Sequence, residues 1–203
     1  MTPTPERILV VHSRYLSGSS SGENRVVDDE VAILRGAGFE VETVVRQPRP
    51  ERSRLALAGD AVWSRTATRE VDAVIRSLRP DVVHFHNLFP AVSPAPLRAA
   101  ERAGIPTVVT LHNFRFLCLA GTYLRASQLC EDCAGRTPWP GVVHACYRGS
   151  RAQSAVLASS LGLHRLLGTH AGVTLYLVLS HFGRAKHVEA GFPADAIRVR
   201  PNF

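Results

Sequence analysis

The sequence predicts an α/β fold: a doubly wound, mostly parallel Rossmann-like sheet with a cysteine-containing insertion. Three features predict it: short unbroken apolar runs, helical spacing of apolar residues between them, and one interval, about residues 114–148, where that rhythm fails. At 203 residues and 45% hydrophobic content, the chain can bury the core of one domain of slightly more than usual size, with room for an insertion.

The first strand is expected at Arg7 to His12 (RILVVH), where a continuous apolar run suits a parallel strand covered on both faces. A Ser- and Gly-rich loop follows. Val27, Val31 and Leu34 then recur at helical spacing, Gly36 and Gly38 stop that helix, and Val41 to Val45 forms the second strand. A helix from about Thr66 to Leu78 stops before Pro80 and leads into Val82 to His86, and another from about Pro96 to Ala103 leads into Thr107 to Leu111. Parallel strands need such crossovers. After some 35 irregular residues the pattern resumes with a helix from Gln153 to Leu167, a strand from Leu175 to Leu179, a helix from about Phe182 to Ala190 and a short strand from Ile197 to Val199.

The net charge of +7 comes almost wholly from arginine, Lys186 being the sole lysine, and the arginines are scattered rather than run together. With no nucleic-acid docking motif and no interleaved aromatic patch, no nucleic-acid partner is expected. No run approaches the roughly 20 apolar residues that span a bilayer, and the first residues lead straight into a strand without a leader pattern, so a cytoplasmic protein is expected. Arg49, Arg52, Arg54 and Arg65 surround apolar Leu55, Leu57, Val62 and Trp63. That grouping reads either as a peripheral contact with the inner face of a membrane or as an ordinary amphipathic helix packed on the sheet.

Ligands of open parallel sheets sit outside the carboxyl ends of the strands, so residues following each apolar run are candidates. They are His12, then His84, His86 and Asn87, then His112 and Asn113, then Ser180 and His181. The loop Ser19-Ser20-Ser21-Gly22-Glu23 precedes the first helix, whose free N–H groups could receive an anion or a sugar hydroxyl; it reads equally as a flexible turn. It has neither dinucleotide-fingerprint nor P-loop spacing.

Four cysteines, Cys118, Cys130, Cys133 and Cys146, fall within the insertion and none outside it. One C-x-x-C knuckle plus two single thiolates can close a structural zinc site, with His144 a substitute ligand. Inert thiols and a redox-active Cys130–Cys133 pair remain alternatives, though the residues after Cys133 open a helix poorly.

Taken together, SSSGENRVVDDEVAILRGAGFEV, DVVHFHNLFPAVSPAPLRAAERAGIPTVVTLHNFRFLC, LCEDCAGRTPWPGVVHACYRGSRAQSAVLASSLGLHR and the closing RVRPNF resemble the N-terminal domain of family 4 glycosyltransferases of the GT-B fold, from Ile8 to Phe203. The resemblance implies retaining transfer from a nucleotide sugar to a glycan or lipid-linked sugar acceptor, in a cleft between two Rossmann-like domains. It implies that residues 1–203 are the acceptor-side domain, that the C-terminal donor-binding domain lies outside this chain, and that the chain alone lacks transferase activity. It places Gly22 and Glu23 beside the sugar and phosphates, His112 at the reacting centre, and Asn87 and Asn113 in the acceptor pocket; His86 and Ser180 join the substrate-binding candidates through their strand-end positions. Ser21 stands where the family's loop commonly has its first glycine. A stand-alone binding module without catalysis is the competing reading.

Overall fold

Side chains along a strand point alternately to opposite faces, so the order and register of the strands decide which residues meet. In the computed structural model, which describes residues 6–15, 21–49 and 51–202, six strands form one sheet in which every neighbouring pair is parallel. They are β1 (Arg7–Ser13), β2 (Glu40–Arg46), β3 (Val82–Phe85), β4 (Thr107–Leu111), β7 (Leu175–Val178) and β8 (Ile197–Val199), in the order β2-β1-β3-β4-β7-β8. The connections run outward in opposite directions on either side of the β1/β3 boundary, which makes that boundary the switch point of the sheet.

Register then sorts the residues. Val11 lies opposite Phe85 and Phe85 opposite Val109, so odd-numbered Leu9, Val11, Val83, Phe85, Val109 and Leu111 share one face. They form the main core with Ala67, Val71 and Ile75 of α3 (Arg65–Leu78), Leu97 and Ala100 of α4 (Leu97–Arg102), and Leu157 and Leu161 of α6 (Arg151–Leu166). On the opposite face Ile8, Val10 and Val41 pack against Val27 and Val31 of α1 (Gly22–Gly36). Further toward the carboxyl ends, the α1 face of the sheet changes from apolar side chains to His12, His84, His86 and Thr110, all buried.

Helix boundaries follow local chemistry. Ser64, Ser150 and Ser180 each accept an N–H from the third residue ahead and so begin α3, α6 and α7 (His181–Glu189). After α1, Gly38 takes a φ of +93°, a left-handed turn that suits glycine, and the chain enters β2.

Two segments carry more regular structure than the sequence pattern predicts. Residues Arg54–Val62 form a separate helix, α2, which packs against α6. Trp63 stacks on His164 at 5.1 Å, and of the four apolar residues in this segment Leu55 alone is exposed. Inside the insertion lie a hairpin, β5 (Leu124–Arg125) with β6 (Gln128–Leu129), and a short helix, α5 (Trp139–Val143), which packs on α6. The hairpin turns through Ala126 and Ser127 at φ 48° and 64°, the mirror-image turn that matches strand twist. No helix among the described residues is long and apolar enough to cross a membrane.

Candidate functional site

The carboxyl ends of β1, β3 and β4 meet the first turns of α1 at the switch point, and a chain of polar contacts crosses the gap. His12 is the last residue but one of β1 and its Nε2 lies 2.9 Å from Asn24 Oδ1; an amide oxygen only accepts, so Nε2 carries the proton and Nδ1 is left as an acceptor. His84, within β3, donates from Nδ1 to Glu30 Oε1 at 2.8 Å, and its Nε2 lies 2.8 Å from the Thr110 hydroxyl. His86 Nδ1 and His112 Nε2 are 3.0 Å apart, and the two rings stack at 5.3 Å. Asn113 donates to Glu23 Oε1 at 2.6 Å while its own oxygen accepts the Arg115 amide at 2.9 Å.

Glu30 anchors this network. It is 4% exposed and receives, besides His84, an ion pair from Arg200, which follows β8. Burial alone would raise the Glu30 carboxyl, but hydrogen bonds and charge from His84 and Arg200 outweigh it and hold the group at about 2. The histidines move the other way. Burial, reinforced by the charges of His84 and Arg200, lowers His112 to about 4, and burial with its histidine neighbours lowers His86 well below the ordinary range. Burial also lowers His12. At neutral pH these three rings are therefore uncharged.

Three buried polar atoms at this site have no partner among the described residues, His12 Nδ1, Glu23 Oε2 and His112 Nδ1; His86 Nε2 makes no hydrogen bond either but faces Glu30 Oε1 at 3.8 Å. Buried polar atoms are ordinarily satisfied, so three together mark where a ligand's hydrogen-bonding groups would fit. Glu23 Oε2 and His12 Nδ1 can only accept, and within the His86–His112 pair one outer nitrogen accepts and the other donates. The complement is a molecule with several hydroxyl groups.

The sequence-selected residues separate into groups. Glu23, His86, His112 and Asn113 come together here. Gly22 is the first residue of α1 and is exposed, with Ser21 extended ahead of it; Ser19 and Ser20 lie outside the described residues. Asn87 is buried beside the site, but both its amide hydrogens are spent, on Ser13 O at 2.9 Å and Phe89 O at 2.8 Å. Ser180 stands exposed at the end of β7, its hydroxyl accepting the Gly183 N–H at 3.0 Å. Asn24, Glu30, Thr110 and Arg200 belong to the network although none stood out in the sequence. For Glu30 a signal existed: positions 23, 27, 30 and 34 share one helical face, which places a carboxylate on the buried stripe.

Two places have the donor atoms a metal needs. Glu30, His84 and His86 bring theirs within 4.8 Å of one another. There, however, the carboxylate already takes a proton-bearing nitrogen of His84 and the Arg200 guanidinium, so a cation would meet a fixed positive charge and a blocked ligand. The second place is the insertion, where Cys118, Cys130, Cys133 and Cys146 all line one cavity. His144, at the end of α5, is exposed and does not line it.

Comparison with known proteins identifies the family and the fold. Residues 21–202 match the family model described as glycosyl transferase 4-like domain. A 56-residue stretch is 39% identical to glycogen synthase 1 of Rhizobium radiobacter, covering 28% of this chain and 12% of that protein. The fold is similar to UDP-GlcNAc 2-epimerase from Rickettsia bellii, with a TM-score of 0.53 at 10% identity over 98% of this chain and 45% of that one. It is similar also to UDP-GlcNAc 2-epimerase from Neisseria meningitidis, bound to UDP-GlcNAc, with a TM-score of 0.52 at 12% identity over 97% and 46%. The chain thus spans less than half the length of these relatives.

Proposed function

This chain belongs to the glycosyl transferase 4-like domain family, and from that premise we propose that it is the acceptor-side half of a retaining glycosyltransferase. The reaction moves a sugar from a nucleotide sugar to a glycoconjugate acceptor. A bond forms between an acceptor hydroxyl oxygen and the sugar's C1 as the C1–phosphate oxygen bond breaks; the electron pair leaves on the diphosphate and the acceptor's proton follows it.

The observation that carries this reading is the set of unpartnered polar atoms at the switch point, mostly acceptors, which suits the hydroxyls of a sugar and not an anion. His112 is held neutral by burial, so its free nitrogen can accept from or donate to a hydroxyl at pH 7 without bringing a charge to the cleft. Glu23 is fixed by Asn113 through one oxygen and presents the other. The exposed start of α1 at Gly22 lies beside them, where backbone N–H groups would meet the donor's phosphates. Support for a nucleotide sugar as co-substrate comes from the UDP-GlcNAc bound by the Neisseria protein of like fold.

A complementary donor-binding domain is the partner this function needs, because a diphosphate leaving group requires a clamp of positive charge or N–H donors. A lipid-linked acceptor at an anionic membrane face belongs to the same proposal. What supports it is the exposure of Arg49, Arg54, Leu55 and Arg65 on and around α2. The experiment is transfer by the two-domain protein from a panel of nucleotide sugars, with product masses read by mass spectrometry. A glycan that binds without any product from any donor would favour the non-catalytic module instead.

A further inference from the structure

We propose that the four cysteines of the insertion hold a structural zinc ion, which ties together the segment that begins beside Asn113. Cys118 follows the turn after β4, Cys130 follows β6, Cys133 stands in the next turn and Cys146 follows α5, so three separate stretches of chain converge. All four line one cavity, together with apolar Leu119, Leu124 and Pro140. This is the mixed arrangement of one knuckle and two single thiolates that a closed tetrahedral zinc site uses, with apolar walls that limit access of water.

The surroundings are built to hold such a site. The Cys130 amide donates to Tyr123 O at 2.7 Å and the Cys146 amide to Gly141 O at 2.9 Å, which fixes the backbone at two of the ligands. Burial pushes the Cys133 thiol up, and the Gly141 amide beside its sulfur offsets part of that rise. A Cβ at Gly141 would stand 2.8 Å from Leu119 Cδ1, so glycine is what lets α5 seat next to Cys118. Between the knuckle cysteines, Glu131 takes Lys186 of α7 at 2.9 Å, and Asp132 takes Arg125 at 2.8 Å. Of these, Arg125 and Asp132 also line the cavity.

The insertion also needs a staple. Tyr123, Ala126, Ser127, Ala145 and Arg148 all have left-handed backbones, at a cost of about 1 kcal/mol each. Against that stand two two-residue strands and a five-residue helix. All four cysteines are free, and one divalent cation can take all four as thiolates. The sulfurs must draw together, since Glu30, His84 and His86 alone among the described residues hold three donor atoms within 4.8 Å. Binding balances as four thiols releasing four protons to solvent while four Zn–S bonds form.

The mechanical consequence runs toward the cleft. From Cys118 the chain passes back through Arg115, which donates to Leu119 O at 2.8 Å, to Asn113 and so to Glu23. An ion that fixes Cys118 therefore also limits movement of Asn113.

Elemental analysis of the chain purified without chelator should find about one zinc per molecule, and Cys133→Ser with Cys146→Ser should lower that to under about a tenth. Cobalt added after zinc removal should give the intense visible bands and thiolate charge transfer of tetrahedral cobalt, a readout that needs no folded variant. Hydrogen exchange of the chelated wild type should rise across residues 114–148 while β1, β3 and β4 stay protected. Zinc below about a tenth per chain in the wild type, with four thiols, or two thiols and a disulfide, found by titration, would overturn the proposal, as would cobalt bound without thiolate charge transfer.

Discussion

Replacing Glu30 by glutamine removes one charge from the centre of the network and keeps its shape, so it tests the electrostatics alone. The carboxyl is held at about 2 against an ordinary 4.5. A depression of that size means that the folded protein favours the carboxylate over the neutral acid by about 3 kcal/mol. Glutamine resembles the neutral acid, and Glu30 is 4% exposed, so little of this is screened. Glu30→Gln should therefore unfold about 3 kcal/mol more easily at pH 7, because His84 and Arg200 keep their places and lose the charge they face. The folded value lies below the unfolded one, so this stabilisation is complete above 4.5 and is lost as pH falls toward 2. Urea unfolding followed by circular dichroism, from pH 7 down to 3, should show the gap between wild type and variant narrowing by about 2 kcal/mol at the acid end. A variant within about 1 kcal/mol of wild type at pH 7, or a gap that stays constant to pH 3, would refute the reasoning.

Two further outcomes follow from the same geometry. His112 should titrate by NMR with a midpoint near 4, and because the folded protein then binds fewer protons than the unfolded chain below pH 6.5, stability should fall as pH drops through that window. A midpoint at or above 6.5 would contradict its burial. Gly141→Ala should lower thermal stability by about 1–3 kcal/mol, because the new methyl meets fully buried Leu119. Gly172→Ala should cost much less, since what it meets is the Glu101 carboxyl end, which can swing into solvent. Equal losses in a thermal melt would show that the contact at Leu119 is not what matters.

Much of this protein is legible without coordinates, for reasons that particular elements make plain. Strands such as RILVVH and TVVTL are buried on both faces, and that burial demands the continuous apolar runs by which they are recognised. Strand-end residues stood out because polar side chains recur after several such runs at one edge of the sheet, where a ligand of an open parallel sheet would sit. For Arg54–Val62 an amphipathic helix was one of two readings, but its partner was hidden: it packs on α6 and not on the sheet, its tip Leu55 is 86% exposed, and its apolar period is short and imperfect. The insertion's hairpin was hidden for a different reason. Ala126 and Ser127 occupy positions where Asn-Gly or Asp-Gly would have signalled the turn. The pair between Glu30 and Arg200 was beyond any local reading, since it joins residues 170 positions apart and depends on the path of the chain after β8. Asn87 shows the converse limit: its place after a strand drew attention, while the contacts that hold its amide are backbone carbonyls that no sequence displays.

The central claim is that His112, presented by β4 beside His86, faces a reacting sugar in a transferase cleft. The measurement that tests it is turnover of the two-domain protein with His112→Ala, under the nucleotide sugar that gives product with wild type, alongside its thermal melt. The expected result is a fall in kcat of at least about 100-fold in a protein that still folds, with a smaller loss of stability from the hydrogen bond and stacking His86 gives up, because a strand-end residue faces the cleft more than the core. Wild-type turnover by a folded His112→Ala protein would contradict it.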